Sequence, residues 1–136
     1  MLGVELLVAE VRTPQELTAV VTTLPADVQA IFLVPMPSVA PTISDIAAVA
    51  SARGLPIGGF GQEYAEQGAL VSYAPDFFAM GTQAARLADR IFKGERPADL
   101  PVETSEYFLT INLKSAAAVG LTVSDPMLQH AHKVIR

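Results

Sequence analysis

The stretch AIFLV, residues 30–34, narrows the possible folds of this chain more than any other. Five consecutive apolar residues are the length of a strand, and an unbroken apolar run is what a strand covered on both faces requires. Strands of that kind occur almost only in parallel sheets flanked by helices. Pro35 and Pro37 in the following PMPS (residues 35–38) force a loop at the strand's carboxyl end.

The flanking sequence repeats the alternation that such a sheet demands. Residues 4–11 (VELLVAEV) read as a buried strand. Thr13-Pro14-Gln15-Glu16 then supplies a cap, a proline at the first helical position and a glutamate at the third, with Leu17, Val20, Val21 and Leu24 inward. A second helix starts at about Ile43, turns Ile43, Ile46, Ala47 and Ala50 inward and stops at Gly54. Residues 55–58 form a short strand, 58–61 (GGFG) a flexible exit from it, and 69–74 (ALVSYA) a further strand. Asp76 caps the longest helix, residues 77–93, whose apolar side is Phe77, Gly81, Ala84, Leu87, Ala88 and Ile91. After a strand at 107–111, Asn112 caps a helix to Val119, and Asp125-Pro126 opens a terminal helix with Leu128, Ala131 and Ile135 inward. The expectation is an α/β fold, a three-layer sandwich with a mainly parallel sheet, in a single domain over residues 1–136.

Composition excludes several function classes. Nine basic residues are scattered through a chain of net charge −5, which argues against nucleic acid and anionic membranes. The longest apolar stretch, residues 30–36, falls far short of the roughly 20 residues a membrane helix needs. Cysteine is absent, so disulfides and thiolate metal sites are excluded. The amino-terminal MLGVELL lacks the basic region and cleavage site of a secretory signal, so the chain as written is expected to stay in the cytoplasm.

Nothing in the sequence assembles a reaction centre. His130 and His132, both placed in the terminal helix, stand about 200° apart and cannot share a metal. No serine occupies a nucleophile elbow, and GGFG lacks the dinucleotide fingerprint. We expect no catalytic residue, no metal and no cofactor. In an open parallel sheet, ligands gather at the carboxyl ends of strands. The segments that converge there nominate Met36, Ser38, Phe60, Glu63, Tyr73 and Asp76 as a ligand-binding edge. Glu66 lies close by, and Asp76 can serve as helix cap and ligand contact at once.

Residues 68–136 also carry an ordered set of family motifs. Gly68-Ala69-Leu70, Gly81, Ala84-Ala85, Gly94, residues 97–103 (PADLPVE), residues 111–114 (INLK) and Gly120-Leu121 fall in sequence along the chain. In this the chain resembles bacterial ABC-transporter substrate-binding proteins of the uncharacterised periplasmic type, some similar to binders of aromatic amino acids. The likeness extends more loosely back to Met1. It implies one lobe of a type I periplasmic binding protein, with a small-molecule ligand, an amino acid or similar, held in a cleft between two lobes. It further implies an ABC permease as partner, a periplasmic location, and residues 97–103 as an inter-lobe connector whose prolines make a defined hinge.

Two departures from the family pattern stand out. The chain looks truncated, beginning after an export signal, a first lobe and the first strand and helix of the second. Where many members carry an aspartate suited to an amino group, this chain has the loop containing Met36. A cytoplasmic ligand-sensing module and a non-functional truncated paralogue are the alternative readings. In a lobe so cut, residues 4–11 and 30–34 are expected to pair directly in parallel or to pair with another chain, and self-association is expected.

Overall fold

In the computed structural model, residues 3–37 and 40–136 are described. Some of their helices begin where a side chain caps them. Helix α1 (Pro14–Thr23) starts at Thr13, whose hydroxyl accepts the backbone N–H of Glu16. Strand β1 (Ile31–Leu33) leads through a short 3₁₀ turn (Ala40–Thr42) into α2 (Ile43–Ala52). The guanidinium of Arg53, just past α2, donates to the carbonyls of Val21 and Leu24, satisfying acceptors that the end of α1 leaves open. Strand β2 (Ile57–Gly59), the one-turn α3 (Gln62–Glu66) and β3 (Val71–Pro75) follow. Then come α4 (Phe77–Phe92), β4 (Tyr107–Asn112), α5 (Leu113–Ala118), α6 (Asp125–His130) and β5 (Lys133–Ile135).

Among the described residues, five strands form one sheet in chain order, β1-β2-β3-β4-β5. All neighbours run parallel except β3 and β4, which pair antiparallel with Ser72 opposite Thr110 and Pro75 opposite Tyr107. Paired residues share a face, and successive residues alternate. One face therefore carries Ile31, Leu33, Ile57, Gly59, Ser72 and Thr110; the other carries Phe32, Gly58, Val71, Tyr73 and Ile111. The first face holds the core. Leu17 and Val21 of α1 and Ile43, Ile46, Ala47 and Ala50 of α2 pack with Leu33, Ile57 and Tyr64. Gly59 is required here by close approach, since a Cβ would stand 2.5 Å from the Tyr64 ring. The Thr13 cap of α1 holds, as does the inward face of α2; on α1 Leu17 and Val21 are buried, while Val20 and Leu24 are only half-buried.

Four expectations need correction. Residues 4–11 form no strand; they are non-regular, with Val4, Leu6, Leu7 and Val8 all exposed. Their hoped-for pairing with β1 is therefore absent, because an extended segment becomes a strand only when its N–H and C=O groups find a ladder. The apolar run at 30–34 is covered on one face only. Phe32 is 69% exposed and Val34 55%, since no helix among the described residues packs over them. Residues 58–61 are not merely a flexible exit: Gly58 and Gly59 belong to β2, and α3 begins at Gln62.

The terminal helix stops at His130, so His132 and Ile135 are not helical. Lys133, Val134 and Ile135 pair with Thr110, Ile111 and Asn112 instead, because β4 offers an open parallel edge. The His132 ring sits against Phe108 at 4.3 Å.

Ser72 supplies a direct test of this packing. Its hydroxyl is buried on β3 and has no hydrogen-bond partner among the described residues. A buried hydroxyl without a partner costs about 1–3 kcal/mol. Ser72→Ala is expected to leave stability unchanged or raise it by about 1 kcal/mol. A loss in chemical denaturation would reveal a hydrogen bond through bound water.

Candidate binding edge

The carboxyl ends of β2 and β3 meet the amino end of β4, because β4 runs antiparallel. Phe60 follows Gly59 and so points to the second face, as do Tyr73 and Tyr107. Their rings gather there. Tyr73 and Tyr107 stack with centroids 5.3 Å apart and planes at 30°; Phe60 meets Tyr107 edge-on at 5.8 Å and 62°. These are the offset and T-shaped geometries that aromatic quadrupoles favour. Tyr73 remains 56% exposed and Tyr107 46%, so the stack stays open to solvent.

Of the residues nominated from sequence, the structure brings Phe60 and Tyr73 together and sets the others apart. Ser38 lies outside the described residues. Met36 packs against the core cluster around Leu17 and Ile43. Glu63 is exposed on α3, which covers the first face through Tyr64 over Gly59. Asp76 caps α4, its carboxylate accepting the N–H groups of Phe78 and Ala79 at 2.8 and 3.0 Å. Glu66 is ion-paired with Lys133 at 2.6 Å. Tyr107 escaped the sequence reading, since only the antiparallel register between β3 and β4 carries it to this edge.

Helix α4 contributes no buried residue; Phe77, Phe78 and Phe92 are all exposed. What holds the following segment to it is polar. Glu103 accepts from Gln83 Nε2 at 2.5 Å and from Arg86 Nη2 at 2.5 Å. Arg90 pairs with Glu95, and Arg96 with Asp99 beside the 3₁₀ turn Pro97–Asp99. The Gln83 hydrogen bond, with Arg86 behind it, lowers the Glu103 carboxyl from its usual range. A carboxyl lowered in the folded chain stabilises the clamp at neutral pH. That contribution is lost as pH falls through the lowered value. We expect the Glu103 side chain to titrate below the ordinary glutamate range in carboxyl-observed NMR, with resonances of residues 100–106 moving together with it. A Glu103 midpoint within or above that ordinary range would show that the clamp is absent in solution.

Among the described residues no group of His, Cys, Asp and Glu side chains could hold a metal, and no helix is long and apolar enough to cross a membrane. Residues 1–135 match the family model described as ABC transporter substrate binding protein. The chain belongs to that family. Three solved structures share its fold. An ABC domain from Streptococcus pneumonia, solved in complex with L-Trp, is 28% identical with a TM-score of 0.77, over 92% of this chain and 43% of its own. A conserved domain protein from Vibrio cholerae is 23% identical with a TM-score of 0.74, over 90% and 42%. The ligand-free, open form of a Clostridium difficile substrate binding protein with adhesive properties is 20% identical, with a TM-score of 0.70 over 92% and 42%. This family member thus spans less than half the length of each solved relative. Comparison with curated proteins returns no match.

Proposed function

We propose that this chain forms one wall of a solute-binding site in an ABC-type uptake system and carries out no reaction. The observation that carries this reading is the solvent-open aromatic edge at the carboxyl ends of β2 and β3, in a chain whose family model is a substrate-binding protein. The L-Trp complex of the S. pneumonia relative supports an amino acid or similar small molecule as ligand. The second wall is supplied by polypeptide equivalent to the remainder of the solved relatives, with residues 97–103 as the inter-lobe connector. An ABC permease is the partner, and the working location is extracytoplasmic.

One wall buries too little of a ligand for tight binding, so Kd is expected near 1 mM, about −4 kcal/mol. Ligand-observed NMR with a panel of amino acids and small heterocycles is expected to show saturable binding of at least one. A panel with no saturable binder at millimolar concentration would overturn the proposal.

The same surfaces make self-association an expected property. Phe32, Val34, Phe78 and Phe92 leave apolar area on the sheet and on α4, and β1 has no outer partner among the described residues. Sedimentation is expected to show concentration-dependent oligomers that Phe32→Glu shifts toward monomer. A monomer at about 100 µM that binds no apolar dye would contradict this.

A further inference from the structure

We propose that residues 4–11 are an exchange arm, which docks as an added strand on the outer edge of β1 in a second copy of this chain and receives that copy's arm in return. The inference is independent of the solute-binding reading and gives the self-association expected above a definite interface.

Donor and acceptor are both present in one molecule. Among the described residues, no backbone N–H or C=O of residues 4–11 has a hydrogen-bond partner, although the segment has a strand's composition. The arm leaves from a fixed base. Thr13 caps α1, the Arg12 N–H donates to the Glu16 carboxylate, and Val11 packs against the core cluster. From there eight extended residues reach about 25 Å, far enough to meet a neighbouring molecule. The acceptor is β1. The Ile31 N–H donates to the Pro56 carbonyl and the Leu33 carbonyl accepts from the Phe60 N–H, so both residues turn their backbone groups toward β2. Alternate residues of a strand address opposite sides, and Phe32 therefore aims its N–H and C=O at the open edge. Among the described residues no partner meets them there.

The two elements match in length, face and charge. Glu5 and Glu10 bracket the four apolar residues 6–9 (LLVA), and the acceptor is the five-residue run 30–34, closed by Pro35. Val11 lies on the core side, so by alternation Leu7 and Ala9 share that side, and Leu6 and Val8 come to lie beside the exposed Phe32 and Val34. The acceptor also lacks the charges that usually block strand addition, since no charged residue stands between Asp27 and Asp45. At the other end of the sheet, β5 carries Lys133. A second copy is the occupant because each copy holds one arm and one edge that stay apart within it. A two-fold pair satisfies both arms and both edges at once and then closes. Growth beyond two is opposed by Glu5 and Glu10, which in-register stacks of arms would set against their own kind.

The chain has no cysteine, so introduced ones report the pairing directly. The 136-residue variants Leu6→Cys, Leu7→Cys, Val8→Cys and Ala9→Cys are each mixed with Phe32→Cys and oxidised mildly, at a concentration where sedimentation shows dimer. All five positions are exposed, so the fold is expected to survive each change, and thermal melts check it. Heterodimers linked through position 32 are expected from positions 6 and 8 together in at least about fivefold greater yield than from 7 and 9 together. Only same-face neighbours on adjacent strands come within the roughly 4.4–6.8 Å Cα separation that a disulfide spans.

Equal yields from the four positions would show unordered apolar contact and overturn the inference. Greater yield from 7 and 9, or no heterodimer at all, would do the same. So would a parent chain that sediments as a monomer, or a Val8→Cys/Phe32→Cys double variant that cross-links within one copy. None of these outcomes bears on the ligand titrations, so solute binding stands or falls separately.

Discussion

Asn112→Ala is expected to cost about 3 kcal/mol, one of the two largest losses from a single substitution in this chain. Asn112 ends β4 and is buried, and both ends of its side-chain amide are used. The carbonyl oxygen accepts the N–H groups of Lys114 and Ser115 at 3.0 and 3.1 Å, capping α5. The Nδ2 group donates to the Ala65 carbonyl at 2.8 Å, joining the sheet to α3 across 47 positions of sequence. Losing the cap costs about 1 kcal/mol, and taking the Nδ2 donor from the buried Ala65 carbonyl, which keeps only a long 3.4 Å bond from the Gly68 N–H, adds about 2. For a domain of this size the loss lowers Tm by roughly 10 °C.

Asn112→Asp separates the two roles. It keeps an oxygen for the cap but points a carboxylate at the Ala65 carbonyl, so at neutral pH it is expected to be at least as harmful as alanine. In acid the protonated side chain can donate again, and part of the loss should return. A thermal melt of Asn112→Ala within about 2 °C of the parent would show that neither bond matters.

Gly68→Ala is expected to cost about as much, for two independent reasons. Gly68 joins α3 to β3 with φ of +108°, a region closed to side-chain-bearing residues without strain of about 1–3 kcal/mol. An added Cβ would also stand 2.9 Å from the Cβ of Ala47, which is packed in α2. Overfilling a packed site adds about 1–3 kcal/mol. A double-mutant cycle with Ala47→Gly tells them apart. That change removes the clashing methyl at about 1 kcal/mol for a helical glycine, so the pair should be better than additive by at least about 1 kcal/mol. Strict additivity would assign the whole cost to backbone strain.

The sequence was readable where the physics is local. Thr13, Asp76 and Asn112 cap the helices they were expected to cap, because a cap and its N–H partners lie within three residues. The apolar spacing likewise named the four buried residues of α2, and in α1 it named the buried Leu17 and Val21 along with Val20 and Leu24, which are only half-buried. Errors arose where a segment's fate depends on a distant partner. Residues 4–11 and 133–135 show this from opposite sides. The first has a strand's composition and no ladder; the second continues a helical spacing from Leu128 and Ala131 but finds an edge of β4. Tyr107 was missed for the same reason. Its neighbours Tyr73 and Phe60 are 34 and 47 positions away, and only the antiparallel register brings them within ring contact. Helix α3 is too short, at five residues, to show a period, though Tyr64 between two small-residue segments is a signal that it packs inward.

The sheet is laid down in the order of synthesis, each strand beside the one made before it. No strand has to be inserted between two already placed, so loop-closure entropy is met in small instalments along most of the chain. The long excursion is the stretch through α4 between Pro75 and Tyr107. During translation, β1, α2, β2, α3 and β3 can therefore settle while the rest is still emerging. The arrival of β4 is the slow step. Its delay leaves the outer edge of β3 unpaired for as long as the intervening residues take to be made, which is when this chain is most open to mispairing.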